Sequence, residues 1–231
     1  MYGRGTRPVH MESAAHGDRQ KGTRWSSVAA LAVMFVLFFY FVLSYDGNPG
    51  NAMRPEAVRV SPSNILRIVT PLGAIRVVLR PDAAPKTVEH VKELVRMGHY
   101  ELAAFYRSEK SLVQGGGVTQ GRELRPSPLA PVELEYAMPN TRGTVALARG
   151  EDENSGNAEF FINIRDNSEA LAPQDTMVGM DAGYAVFGDV VQGIEIVEAI
   201  SGMPTTSSGG LRLLNELVPF SAVLESDLKN E

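Results

Sequence analysis

Residues 104–117, AFYRSEKSLVQGGG, decide the fold. A short apolar stretch ends in Tyr106-Arg107, a polar break follows, and Leu112-Val113-Gln114 starts a second short stretch before three glycines. Apolar runs this brief, punctuated by polar and Gly residues, read as strands of a tightly connected sheet. The glycines read as a turn, and the lack of a following Lys-Ser or Lys-Thr excludes a phosphate loop. Toward the N-terminus, Ile65 to Val69, the turn Pro71-Leu72-Gly73 and Ala74 to Leu79 predict a β-hairpin. Lys86 to Met97 carries Val88, Val91, Leu94 and Val95 at helical spacing, between Pro85 and Gly98, which predicts an amphipathic helix. Toward the C-terminus, further strands are expected at Val145 to Ala148, Glu159 to Ile164, Ala185 to Val190 and Leu217 to Leu224, with a second helix at Ile194 to Ile200. This order predicts a mainly β domain: a closed antiparallel eight-stranded barrel capped by two helices.

The chain has 231 residues, room for one domain of ordinary size and an anchor, and 44% hydrophobic content supports a sizeable core. Its net charge of −5 conceals an asymmetry. Residues 1–24 are a basic head, with Arg4, Arg7, Arg19, Lys21 and Arg24 against Glu12 and Asp18. From Ser61 onward, 15 basic side chains face 23 acidic ones, which argues against nucleic acid as a partner. With no cysteine, disulfides, thiolate metal sites and Cys nucleophiles are excluded. His10, His16, His90 and His99 show no metal-ligand spacing, so neither a metal nor a cofactor is expected.

Residues 25–45 hold no charge, and as a helix they extend about 31 Å, close to the hydrocarbon thickness of a bilayer. Trp25 and Tyr45 stand at its ends, and the basic flank is N-terminal. The expectation is a single transmembrane helix with the head in the cytosol and the domain across the membrane, a type II signal-anchor arrangement. A cleaved signal peptide is the competing reading. Against it stand the long polar leader, the length of the apolar run and the lack of a small-x-small site before Gly50-Asn51-Ala52. The short, Phe-rich run suits thin early secretory membranes, placing the Golgi ahead of the endoplasmic reticulum. Residues 46–62 read as a flexible stalk, and 63–231 as the folded domain.

Seven strings resemble, in order and spacing, the cyclophilin family of peptidyl-prolyl cis-trans isomerases. They are Ala84-Pro85-Lys86-Thr87-Val88, Gly98-His99-Tyr100, Phe105-Tyr106-Arg107, Val113-Gln114-Gly115-Gly116, Gly143 to Ala148, Ala158 to Ile162 and Tyr184 to Val190. Together with the N-terminal run they suggest the membrane-anchored, plant-type cyclophilins of the secretory pathway. The resemblance implies that Arg107 and Gln114 are catalytic. It also implies that Tyr106, Leu112, Ala148, Phe161, Met180 and Tyr184 bind substrate, the proline-containing segments of client proteins. Three departures stand out. The segment Ser108 to Leu112 is one residue short and lacks the family's pocket aromatic, so Ser111 or Leu112 takes its place. Arg149 replaces an Asn. Gly179-Met180-Asp181-Ala182-Gly183-Tyr184 lacks the usual Trp and has Tyr for His.

The chemistry implied is undemanding in functional groups. Rotation about an X-Pro amide meets a barrier of about 18–20 kcal/mol and needs no nucleophile or metal. A dry pocket for the ring and a fixed donor to the prolyl nitrogen favour the twisted amide. An arginine supplies that donor with little dependence on pH near neutrality. The altered pocket leaves a weakly catalytic or inactive binding module as the alternative, and a scaffolding membrane protein as a third reading. The acidic run Glu151-Asp152-Glu153 reads as a solvated loop that, with Glu159, would favour basic substrates.

Overall fold

Alternating burial in the first hairpin sets the barrel wall. In β1 (Ile65–Thr70) Leu66, Ile68 and Thr70 point inward, and in β2 (Gly73–Leu79) Ile75, Val77 and Leu79 do the same. The period of two comes from the pleat, and Ile68 pairs with Ile75 across the strands. Thr70 closes the turn, its Oγ1 donating to the Gly73 carbonyl at 2.9 Å and accepting from Leu72 N at 3.1 Å.

The computed structural model describes residues 61–176 and 179–230, with the side chains of 175–180, 229 and 230 outside the description. The expected head at 1–24, the anchor at 25–45 and most of the stalk lie outside the described residues. Among the described residues no helix is long and apolar enough to cross a membrane.

The first helix, α1 (Pro85–Arg96), buries Val88, Val91, Leu94 and Val95. No neighbouring side chain caps it. Glu135 does so from a distant loop, accepting from Lys86 N at 3.1 Å and Thr87 N at 2.8 Å, which satisfies two of the free donors of the first turn. There follow β3 (Ala103–Ser108), β4 (Leu112–Thr119), β5 (Thr144–Leu147), β6 (Phe160–Asn163), the hairpin β7 (Gln174–Thr176) and β8 (Gly179–Asp181), and β9 (Val186–Gln192). The second helix, α2 (Ile194–Ser201), precedes β10 (Thr205–Ser208) and β11 (Leu211–Leu224). Eight strands close in the order β1-β2-β9-β5-β6-β4-β3-β11, with β11 returning to β1 through Leu66 opposite Leu224; every pairing is antiparallel. The expected eight-stranded barrel with two helices is therefore present. Tyr100, Phe105, Phe160, Phe187 and Phe220 fill its centre, with Phe105 and Phe220 centroids 4.6 Å apart.

Two sequence expectations need correction, and one hairpin is new. Gly115-Gly116-Gly117 belongs to β4 and is not a turn. The strands come so close there that a Cβ on Gly115 would stand 2.7 Å from the Ala104 carbonyl oxygen, and Gly116 has φ +101. The last strand begins at Leu211 rather than Leu217, because Leu211–Leu214 pairs with the unforeseen β10 on one side while Leu213 already lies opposite Arg107 of β3 on the other, ahead of an irregularity between Leu213 and Val218. The β7–β8 hairpin was also not foreseen; among the described residues it pairs only with itself.

Candidate active site

Four adjacent strands place a row of side chains on the outer face of the barrel. Arg107 on β3 lies opposite Gln114 on β4, Gln114 opposite Phe161 on β6, and Phe161 opposite Ala146 on β5. Strand alternation explains why these residues separate from the core. Val113, Phe160, Ile162, Val145 and Leu147 point into the barrel, while Leu112, Phe161, Ala146 and Val186 form a second apolar cluster on its other face. Met138, Ala148, Leu171 and Tyr184 pack against that second cluster.

The guanidinium of Arg107 is held at two points. Its Nε donates to Glu109 Oε1 at 3.1 Å and its Nη1 to Gln114 Oε1 at 3.0 Å, while Nη2 meets no partner among the described residues. Glu109 is in turn fixed by the Arg212 amide at 3.1 Å. Gln114 is buried and donates through Nε2 to Glu159 Oε2 at 2.7 Å and to the Tyr106 hydroxyl at 2.9 Å. The Tyr106 hydroxyl itself donates to Glu159 Oε2 at 2.5 Å. Burial, reinforced by that carboxylate, pushes the Tyr106 phenol well above its ordinary range, so it stays a donor. Tyr106 thus stands behind Gln114 and apart from the apolar cluster.

Leu112, and not Ser111, belongs to the apolar cluster with Phe161. The short hairpin is tied by Glu109 N to the Leu112 carbonyl at 2.9 Å, and the Ser111 carbonyl accepts from Ile164 N at 2.9 Å and Asn167 Nδ2 at 3.1 Å. Asn167 also donates to Asn163 Oδ1 at 2.6 Å, and Asn163 Nδ2 donates to Asn140 Oδ1 at 3.1 Å and Thr144 Oγ1 at 2.9 Å. This buried amide network carries the pocket edge. Sequence reading missed it, together with Glu109, Met138 and Leu171, because Asn140, Asn167 and these three lie outside the periodic apolar runs, and the strand-end residues Asn163 and Thr144 meet their partners only through the fold.

The opposite wall is built from the departures themselves. Tyr184 meets Phe161 edge to face at 5.4 Å, and the Arg149 guanidinium lies 4.7 Å over the Tyr184 ring. Arg149 also donates to the Gly183 carbonyl at 2.8 Å and pairs with Asp181 at 2.5 Å. Phe161 is only 3% exposed, covered within this cluster. Met180 falls on β8, opposite Asp175, with its side chain outside the description.

Residues 65–215 match the family model described as "Cyclophilin type peptidyl-prolyl cis-trans isomerase/CLD". Among curated relatives, peptidyl-prolyl cis-trans isomerase cyp18 of Streptomyces antibioticus is 42% identical over 144 residues, covering 61% of this chain and 85% of that protein. Peptidyl-prolyl cis-trans isomerase B of Escherichia coli K12 is 36% identical, over 55% of this chain and 78% of its own length. Of solved structures, cyclophilin AquaCyp293 from Hirschia baltica shares the fold with a TM-score of 0.57 at 22% identity, covering 73% of this chain and 76% of its own. A Cryptosporidium parvum cyclophilin type isomerase, crystallised in the presence of the dipeptide Ala-Pro, gives 0.53 at 19% identity, over 69% and 98%. The two curated relatives named are bacterial, not the anchored plant type. On the barrel, the matched segment and these relatives, the chain belongs to the cyclophilin-type peptidyl-prolyl cis-trans isomerases.

Proposed function

We propose that the row Arg107, Gln114, Phe161 is the site of X-Pro isomerisation. The observation that carries this reading is the free Nη2 of Arg107, on a guanidinium held from two sides next to an apolar cluster. A prolyl ring lodges among Leu112, Ala148, Phe161 and Tyr184, and Nη2 donates to the prolyl nitrogen. That nitrogen accepts a hydrogen bond only as the amide twists and its lone pair localises, so the contact stabilises the transition state over the planar ground state. Gln114 steers Arg107 and, at the groove surface, the substrate backbone. Met180 is proposed to contact substrate from β8.

Because Phe161 is so well covered, the ring of Tyr184 must give way before a proline reaches it. That favours turnover below that of an open pocket, and keeps the proline-segment binder as the second reading. A protease-coupled isomerisation assay of the full chain on Ala-Pro and Leu-Pro peptides decides between them. Acceleration that falls in Arg107→Ala supports the enzyme; binding without acceleration supports the binder.

The uncharged residues 25–45 further support an anchored chain whose clients are proteins on the far side of a membrane. A secretory-pathway address, Golgi before endoplasmic reticulum, rests on the length and Phe content of that run. Protease protection of the domain in sealed vesicles tests the topology.

A further inference from the structure

The barrel closes through eight strands and leaves β10 outside the cylinder. That strand, Thr205-Thr206-Ser207-Ser208, has no apolar residue and adds nothing to the core. Among the described residues it pairs only with Leu211–Leu214 of β11.

What β10 does is fix the start of β11. The two strands turn through Gly209-Gly210, with φ +58 and +82, the left-handed pair that a two-residue hairpin requires. Ser208 lies opposite Leu211 and Ser207 opposite Arg212. The Arg212 guanidinium reaches back to β10 and donates to Thr205 Oγ1, from Nε at 3.2 Å and from Nη2 at 3.0 Å. Main chain and side chain of Arg212 are therefore both held by the hairpin.

The main chain so held meets the proposed site. Leu213 lies opposite Arg107, and Arg212 N donates to Glu109 Oε1 at 3.1 Å. The same oxygen accepts from Arg107 Nε at 3.1 Å. Glu109 follows Arg107 by two residues, the spacing that returns a side chain to the same face of an extended chain. Its side chain is only 23% exposed. Gln114 alone, bonded to Nη1, would let the planar guanidinium pivot about that one contact. A second partner on Nε fixes the plane, and with it the direction in which Nη2 points.

We infer that Glu109 is a positioning residue for Arg107, and that the β10–β11 hairpin is part of the active-site scaffold because it holds Glu109 through the Arg212 amide. The inference rests on the isomerase site proposed above. Glu109 acts through Arg107 and not on the substrate. Its contribution belongs to the transition state, where the prolyl nitrogen accepts from Nη2, and not to peptide binding.

The test uses the full chain. Isomer exchange followed by NMR at several concentrations of a single-proline peptide separates kcat from KM, with thermal melts alongside. Glu109→Ala should lower kcat about tenfold and leave KM within about twofold. Glu109→Gln, whose amide oxygen still accepts from Arg107 Nε and Arg212 N, should recover most of the loss. In an Arg107→Ala background, Glu109→Ala should have no further effect. Gly210→Val perturbs the hairpin from a distance: a β-branched residue is strained at that φ, while its Cβ meets nothing within 4 Å. It should lower kcat about threefold, again only when Arg107 is present. Lys110→Ala, which removes an exposed charge beside Glu109, should leave kcat unchanged. An unchanged kcat in Glu109→Ala, a loss that persists without Arg107, or a loss no larger than the fall in folded fraction would overturn the inference. A normal kcat in Gly210→Val would remove the hairpin from the scaffold. The two readings separate through the Arg107 Nε–H resonance, assigned by its loss in Arg107→Lys, which needs no turnover. Absent turnover in the wild type counts against the isomerase, while a resonance that shifts and exchanges faster in Glu109→Ala still supports the positioning contact and an unmoved one overturns it.

Discussion

Gln114 Nε2 lies 2.7 Å from Glu159 Oε2, and this contact fixes which way round the Gln114 amide sits. An ionised carboxylate cannot donate, so the amide nitrogen must face it, and the amide oxygen is left facing Arg107 Nη1. The orientation of Arg107 is thus set two residues away, by a carboxylate that never needs to touch substrate.

Reversing the pair should reveal this dependence. Gln114→Glu sets two carboxylates against each other, and kcat/KM should fall by at least about tenfold, most of it in kcat. Adding Glu159→Gln restores a donor–acceptor pair of opposite sense and should recover much of the loss. A double variant no better than the single one would show that Glu159 does not steer Gln114.

Removing the donor itself should cost more. Arg107→Ala is expected to lower kcat/KM by about 10²–10³, the scale for loss of one oriented transition-state donor. Arg107→Lys should recover little, because an ammonium cannot hold Glu109 and Gln114 and still present a third N–H in the same plane. Isomer exchange followed by NMR reads both variants without a coupling protease.

At Tyr184 the prediction runs the other way. The ring covers Phe161 and is clamped by Arg149, so Tyr184→His should uncover the pocket and raise kcat/KM about threefold, as for any site whose competent state is only partly populated. A fall would mean that Tyr184 is a wall the proline needs.

Asn163 joins Asn140, Thr144 and Asn167 in a place without water access. Asn163→Ala strands their polar atoms, at a cost of about 1–3 kcal/mol. Each kcal/mol should appear as a fall of about 2–4 °C in Tm. Since Asn167 also holds the Ser111 carbonyl, activity should decline in parallel.

Stability should also depend on pH through His99. It is buried, its Nε2 has no partner among the described residues, and desolvation, with Arg125 and His90 as like charges, pushes its pKa below the usual 6.5; a backbone hydrogen bond at Gly116 opposes this only in part. The unfolded chain then binds the proton more readily, so this contribution is intact above 6.5, declines as the pH falls toward the folded-state value and levels off below it. Thermal melts from pH 7.5 to 5 should show the decline, and His99→Phe should flatten it.

What could be read beforehand follows the range of the interactions. Arg107, Gln114 and Phe161 stand in contiguous strings on neighbouring strands, and their alternation with core residues is a local property of the backbone. The helix Pro85–Arg96 was legible for the same reason. The glycine run was misread because the close approach of Ala104 that demands Gly115 is created only by tertiary pairing. Met138, Leu171, Asn140 and Asn167 come from loops whose sequence has no period, and Asn163 and Thr144, at strand ends, meet them only in the folded barrel. The β7–β8 hairpin pairs with nothing else in the barrel, so no apolar alternation marks it.

The seam between β1 and β11 sets an order of events during synthesis. Leu66 pairs with Leu224, roughly 160 residues later, so the first strand has only one of its two neighbours until the last has left the ribosome. The cylinder therefore cannot be completed progressively from its N-terminal end. Closure waits for β11, and until it emerges the exposed β1 edge is a place where a chaperone, or a second nascent copy, competes with it.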